Sequence, residues 1–356
     1  MERYLAAIDL GTTTVEASLL RPDGSVAAKH GFLNPQKKYG SDVISRMTFL
    51  QKHPESDELR EGVLSEMREA LKKMLSWQKA DYPKALSQIV ITCNSVMAAI
   101  LLKVPTEPLG IAPFGMPLAH TGEFSLDGLP AFVPVGASAF LGSDSCGGAW
   151  ALPIEEDELL MDLGTNGEML LLHDGKIHGA SAACGPAFEN CTRSQGIYGS
   201  TTLSVLSNLL RTGRLPGDGT LPPEIAENGI EFHGIRITAK ILHDVQLASA
   251  AIYATFLSLL KRAGCGMEDI RHIYLSGGFG FHLSLRDAGT IGLIPESLLD
   301  RVKISGNTSL IAAEKMALEG IDDYDSFREN IVSHQFAGDP DYEGVFYDSM
   351  SLRSRN

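Results

Sequence analysis

Positive charge is what this 356-residue chain most plainly lacks. Its 30 Lys and Arg stand against 44 Asp and Glu, a net charge of −14. A surface for nucleic acid or an anionic membrane needs clustered cations, so no nucleic-acid or membrane partner is expected. Cysteine is scarce too. The five, at positions 93, 146, 184, 191 and 265, are odd in number and contain neither a C-x2-C pair nor a plant-type ferredoxin run. A disulfide framework and a zinc ribbon are both excluded on that pattern. Long hydrophobic runs are also missing. The longest candidate, Val96 to Leu102, ends at Lys103 after seven residues, far short of the ~20 that a membrane helix requires. Met1 to Arg3 leads directly into a strand-like segment at Tyr4, which leaves no room for a signal peptide. A cytoplasmic location is the expectation.

What is present is an ordinary globular composition, 44% hydrophobic and 21% charged, long enough for two domains with cores of their own. One long-range self-similarity organises it. Ile8-Asp9-Leu10-Gly11-Thr12-Thr13-Thr14 is echoed by Met161-Asp162-Leu163-Gly164-Thr165-Asn166-Gly167-Glu168. Each copy lies between two short apolar runs and reads as strand, tight polar turn, strand. Ser143 to Pro153, rich in small residues, reads as the crossing between halves. Helices are expected from Ser56 as N-cap, with Leu59, Val63, Met67, Leu71 and Met74 on one face, and from Thr238 to Gly264, with Ile241, Val245, Ala248, Ile252, Phe256 and Leu259 aligned. Strands alternating with helices in two similar halves imply two α/β domains, 1–150 and 151–356.

A carboxylate at a strand end, followed by Gly and Thr, suits phosphate chemistry. Glycine admits close backbone approach, Thr hydroxyls and amides donate to phosphate oxygens, and Asp holds Mg²⁺. Two such turns, one from each domain, would grip a polyphosphate from both sides. The Gly277-Gly278-Phe279-Gly280 turn after the strand-like Ile273 to Leu275 suits an adenosine face, where a side chain at Gly277 or Gly278 would block the base.

This arrangement resembles the superfamily of actin, sugar and acetate kinases and heat-shock ATPase chaperones (ASKHA). Asp9 to Thr14 resembles its first phosphate motif, Asp162 to Glu168 its second, and Ser276 to Gly280 its adenosine motif. Gly136 to Gly142 and Gly306 to Ala313 resemble its two connecting helices. The resemblance implies two ribonuclease H-like (actin-like ATPase) domains around a nucleotide cleft. Asn34-Pro35-Gln36, Tyr39 to Arg46, Gly185-Pro186-Ala187-Phe188-Glu189, Gln246-Leu247-Ala248 and Gly306-Asn307-Thr308 narrow it further. Together these resemble the C-terminal ATPase region of the reductive activators of corrinoid proteins, in order from residue 4 to about residue 350.

That family resemblance implies ATP-driven electron transfer onto a Co(II) corrinoid, giving Co(I), by a homodimer whose partner is a corrinoid protein or corrinoid methyltransferase. It implies that Asp9 and Asp162 hold Mg²⁺. ATP would lie among Gly11, Thr12, Thr13, Gly164, Thr165, Asn166, Gly167, Gly185, Glu189, Gly277, Gly278, Phe279 and Gly280. Glu168 would orient the attacking water or serve structure alone. Family members carry an N-terminal 2Fe–2S ferredoxin domain, whose cysteine pattern is not found here. A separate ferredoxin-like electron donor is therefore expected.

Other readings stand beside this one. The related activators of 2-hydroxyacyl-CoA dehydratases share a 4Fe–4S cluster between protomers, and Cys146 and Cys184 fall in roughly the corresponding places. Their flanks do not match that family, and the alternative is thiols packed among small residues. A small-molecule kinase on the same fold would need a base, for which Asp42 is the candidate; on a helix face Asp42 would instead pair with Arg46. A nucleotide-gated assembly protein is a third class. Cys93 and Cys265 read as small buried hydrophobes, and the ten histidines as bystanders.

Overall fold

The computed structural model describes residues 3–185, 199–218, 220–221, 223–232, 235–280 and 283–355. The chain divides into two compact units, Met1–Pro153 with Thr308–Ser333, and Ile154–Asn307 with His334–Asn356. The first crossing falls at Pro153, next to the division at 150 that the sequence suggested. The second domain differs from a single block over 151–356, because Thr308–Ser333 returns to the first unit. The physical reason is the helix Thr308–Glu319, whose Leu310, Ala312, Ala313, Met316 and Ala317 are buried there.

The first unit holds β1 (Tyr4–Leu10), β2 (Thr14–Leu20), β3 (Val26–Leu33), β4 (Leu86–Cys93), β5 (Gly122–Leu126) and β6 (Leu129–Val133). Their order is β3-β2-β1-β4-β6-β5. β1 pairs antiparallel with β2 and parallel with β4, and β4 pairs parallel with β6. The second unit holds β7 (Glu158–Leu163), β8 (Gly167–His173), β9 (Lys176–Ala182), a small hairpin of β10 (Ile230–Phe232) and β11 (Ile235–Ile237), β12 (His272–Ser276) and β13 (Val302–Gly306). Its sheet runs β13-β12-β7-β8-β9, with β7 antiparallel to β8 and parallel to β12. Strand for strand, β3-β2-β1-β4-β6 and β9-β8-β7-β12-β13 are one arrangement used twice, the ribonuclease H-like order of the actin-like ATPases.

Central strands read as continuous apolar runs because both faces are covered. Ala6, Ala7 and Ile8 of β1 and Leu159, Leu160 and Met161 of β7 are all buried. The helix Glu58–Trp77 presents Leu59, Val63, Met67, Leu71 and Met74 to the first core, fully buried and at helical spacing. Asp57 occupies its N-cap position without a side-chain capping bond, its carboxylate accepting from Lys103 Nζ at 2.5 Å, while the Ser56 hydroxyl accepts from the Glu58 amide at 3.4 Å. The helix Ala239–Ala263 is capped as its sequence indicates. Thr238 Oγ1 accepts from the Ile241 amide at 3.3 Å, and Gly264 closes it in the left-handed conformation at φ +79°. Its buried Ile252, Phe256 and Leu259 each contribute about 1.5–3 kcal/mol relative to exposure. Gly136 to Gly142 forms a tight loop with a Ser138–Leu141 bridge, and the helix begins only at Ser143. A Cβ on Gly136 would sit 1.9 Å from the Leu141 carbonyl, so the loop requires glycine.

Two histidines meet in the second unit. His178 Nδ1 and His334 Nε2 are 3.0 Å apart, with rings stacked 3° from parallel. Burial lowers both imidazole pKa values, helped by His173 and Lys176 near His178 and by Arg262 near His334. Unfolded histidine titrates near 6.5, so the neutral pair stabilises the fold above that pH, and the contribution is lost as pH falls through the depressed folded values. Urea denaturation at about pH 7.5 and about pH 5 tests this: His334→Phe should lose less stability on acidification than the native chain.

Candidate functional site

β1 leaves the core at Asp9, which is half-buried between the buried Ile8 and Leu10. Asp9 Oδ1 accepts a 2.7 Å hydrogen bond from Ser309 Oγ, in the first turn of the helix Thr308–Glu319. Thr92 Oγ1, on β4, lies 2.9 Å from the same hydroxyl. A carboxylate beside a helix N-terminus is favoured by the exposed amides and the helix dipole.

The turn after Asp9 is held from behind. Asn34 Nδ2 donates to the Gly11 carbonyl at 2.8 Å, Arg46 Nη2 to the Thr12 carbonyl at 2.5 Å, and the Asn34 amide to the Thr13 carbonyl at 2.9 Å. Asn94 Nδ2 donates to Thr12 Oγ1 at 3.2 Å. Carbonyl oxygens are the groups on a turn that repel an anion. With all three engaged by the protein, amide and hydroxyl hydrogens are what this turn has to donate. Arg46 is fully buried, and also donates to Gln36 Oε1 at 2.9 Å and the Gly40 carbonyl at 3.1 Å. Gln36 in turn donates to the Leu59 carbonyl at 3.1 Å, which ties the turn to the helix Glu58–Trp77. At Gly11 a Cβ would lie 2.6 Å from the Thr14 carbonyl, so the turn closes only on glycine.

The second turn, Gly164 to Asn166, joins β7 to β8 with Asp162 opposite Glu168. It closes through the Gly164 amide donating to the Asn166 carbonyl at 2.9 Å. Asp162, Gly164, Thr165, Asn166 and Glu168 are all half-buried. β12 sets Ser276 beside Asp162, and the chain turns away at Gly277 with φ +88°. A Cβ there would stand 2.5 Å from both Asp162 Oδ1 and the Leu163 carbonyl. Approach of two strand ends therefore demands this glycine, a different reason from the expected clearance for a base. Gly167 is likewise a packing position, since its Cβ would meet Ile252 at 3.1 Å and Cys184 Sγ at 3.2 Å. The four-residue turn Gly277–Gly280 carries the Gly278, Phe279 and Gly280 positions.

Gly185 has φ +62°, and among the described residues nothing lies within 4 Å of its Cβ direction. Glu189 and Cys191 lie outside the described residues. Cys146 and Cys184 are core thiols, 0% and 4% exposed. Burial pushes the Cys146 thiol up to about 12; burial, then the Glu168 charge, holds Cys184 well above the ordinary thiol range. A cluster shared between protomers takes thiolates at a surface, so the packing reading is the one this burial supports. Asp42 and Arg46 have separate tasks. Asp42 caps the helix Val43–Lys52, accepting from the Ser45 amide at 2.8 Å and the Ser45 hydroxyl at 3.0 Å. Burial raises its pKa, but these bonds outweigh burial and hold it below the ordinary carboxylate value. Thr92, Asn94 and Ser309 were missed by sequence reasoning. The signal available was their place at the ends of apolar runs, level with Asp9.

Residues 4–157 match the family model of the RACo middle region, and residues 156–203 and 190–356 match that of the C-terminal domain of RACo, the ASKHA domain. The corrinoid activation enzyme RamQ of Eubacterium limosum is 27% identical over 365 residues, 82% of this chain and 60% of RamQ. The Co(II) methylated amine-specific corrinoid protein reductase of Methanosarcina barkeri is 27% identical over 259 residues, 56% of this chain and 46% of that protein. The solved structure of a reductive activator for corrinoid, iron–sulfur protein superposes with a TM-score of 0.86 at 23% identity. It covers 99% of this chain and 66% of its own. The chain thus spans less than two thirds of the length of the curated relatives it matches, 60% and 46%.

The brace behind the first turn has a measurable energy. Asn34→Ala removes the bond to the Gly11 carbonyl and the 2.9 Å cap on the Gln36 amide, and should cost about 2 kcal/mol in urea denaturation. A loss under about 0.5 kcal/mol would mean the turn holds its shape without Asn34.

Proposed function

The chain belongs to the RACo family of reductive activators of corrinoid proteins, and on that premise we propose that it binds Mg·ATP through its two Asp-Gly-Thr turns and couples ATP hydrolysis to reduction of a corrinoid protein from Co(II) to Co(I). The observation that carries this reading is the first turn, whose three carbonyls are drawn into the protein while its carboxylate stays half-buried at the strand end. The donor set supports the metal: carboxylates and hydroxyls are hard oxygen ligands, the kind Mg²⁺ takes. Bound there, the ion would neutralise phosphate charge.

In this mechanism Asp9 and Asp162 would hold the metal, and Thr12, Thr13 and Thr165 would donate hydroxyl hydrogens to phosphate oxygens. Gly11, Gly164, Asn166 and Gly167 give the turns their shape, Glu168 orients the attacking water, and Gly277 to Gly280 faces the adenosine. Gly185 borders the nucleotide. Each turnover splits ATP with water to ADP and phosphate. One electron passes from a reduced iron–sulfur donor to the corrinoid cobalt. The active species is a homodimer. The kinase alternative is disfavoured by Asp42, whose carboxyl caps a helix at a lowered pKa and makes a poor base.

Asp9→Ala and Asp162→Ala should each lower Mg·ATP turnover by about a hundredfold or more while circular dichroism keeps the native signal. Wild-type turnover in both variants would refute the assignment of the turns. With a corrinoid protein, ATP and a reduced ferredoxin-like donor, the visible spectrum should change from Co(II) to Co(I). A spectrum that stays Co(II) while phosphate is released would leave an ATPase without the redox role.

A further inference from the structure

The end of the β7–β8 pair opposite the Asp162 turn holds a second group of chemically capable side chains. Asp157 directly precedes β7, His173 ends β8, and Cys265 follows Gly264 at the end of the long helix. One ligand atom from each of the three lies within 4.8 Å of the other two, and His173 Nδ1 is 2.6 Å from Asp157 Oδ1. β7 is six residues long, so this group is separated from the Asp162 turn by ~20 Å of strand. We propose that Asp157, His173 and Cys265 form a binding site for a thiophilic divalent metal ion of the zinc class, with water as the fourth ligand.

The geometry is near what such an ion needs. Zinc bonds of ~2.3 Å to sulfur and ~2.0–2.2 Å to nitrogen and oxygen set tetrahedral ligand atoms roughly 3.3–3.6 Å apart, so changes in separation of about 1.5 Å or less complete the site. A thiolate, an imidazole and one carboxylate select zinc over magnesium or calcium, which want oxygen alone. The Asp157 side chain starts from an anchored backbone. Its amide donates to the Leu172 carbonyl and its carbonyl accepts from the Arg271 amide, both at 2.8 Å. Four further carboxylates, Glu156, Asp174, Glu268 and Asp269, act on His173 or Cys265. Burial, then the charges of Asp157, Asp269, Glu268 and Glu156, disfavours a bare thiolate and pushes the Cys265 thiol up to about 11; the same charges favour a dication there. Metal binding replaces the thiol proton, which leaves to solvent, by a metal–sulfur bond, and His173 ligates as the neutral imidazole with its proton on the other ring nitrogen; no electrons move.

The test is titration of metal-free protein with Co²⁺ under reducing, oxygen-free conditions. One equivalent per chain should bind with a thiolate-to-cobalt charge-transfer band, and Zn²⁺ should displace it. Cys265→Ser should abolish the band, and His173→Ala, altering a side chain at the surface, should weaken Co²⁺ binding by about a hundredfold or more. Cys146→Ser, which changes no member of this group, should leave the band unchanged. The melting temperature should rise with Zn²⁺ in the native chain and stay put in the first two variants. No band in the native chain, a band that survives Cys265→Ser, or an equal Zn²⁺ shift in all chains would overturn the site.

Discussion

Three backbone carbonyls decide what the first unit can do. Gly11, Thr12 and Thr13 each surrender a carbonyl oxygen to an internal donor: the Asn34 side chain, the Arg46 guanidinium and the Asn34 backbone N–H supply the three bonds. Much of the surrounding architecture serves this brace. The segment after β3 brings in Asn34, Gln36 holds Arg46 against the helix Glu58–Trp77, and the cap at Asp42 starts the helix that carries Arg46 inward. A buried guanidinium costs heavily unless its donors are used. Here they are spent on fixing a turn.

The second unit reaches a comparable strand end by another route. Its turn, of the same three-residue length, closes through Gly164 and Asn166 and is pressed from the side by Gly277, where β12 and β7 end together. Duplicated topology thus preserves the carboxylate at the end of the central strand and varies what supports it. In the first unit the support is a hydrogen-bonded shell of side chains; in the second it is close backbone packing that only glycine permits.

The cysteines and histidines show what residue type leaves open. Cys146 and Cys184, which sequence position offered as cluster ligands, are buried, and burial raises both thiols. Cys265 and His173, which looked like a buried hydrophobe and a bystander, meet Asp157 at one end of a sheet. Spacing along the chain carries no information about this trio, because a strand pair and a 25-residue helix bring its members together.

Local pattern was enough for the α/β class, the two hairpins around Asp9 and Asp162, the long helices with their Thr238 and Gly264 caps, and membership of the family. Each rests on short-range periodicity, on turn chemistry or on motifs read in order along the chain. Tertiary structure alone decided that Thr308–Ser333 returns to the first unit, that Arg46 abandons Asp42 for the turn carbonyls, that Ser309 and Thr92 reach Asp9, and that Gly277 makes room for Asp162. Those outcomes depend on which buried polar groups find partners once the sheets are assembled, a long-range condition that no window of sequence contains.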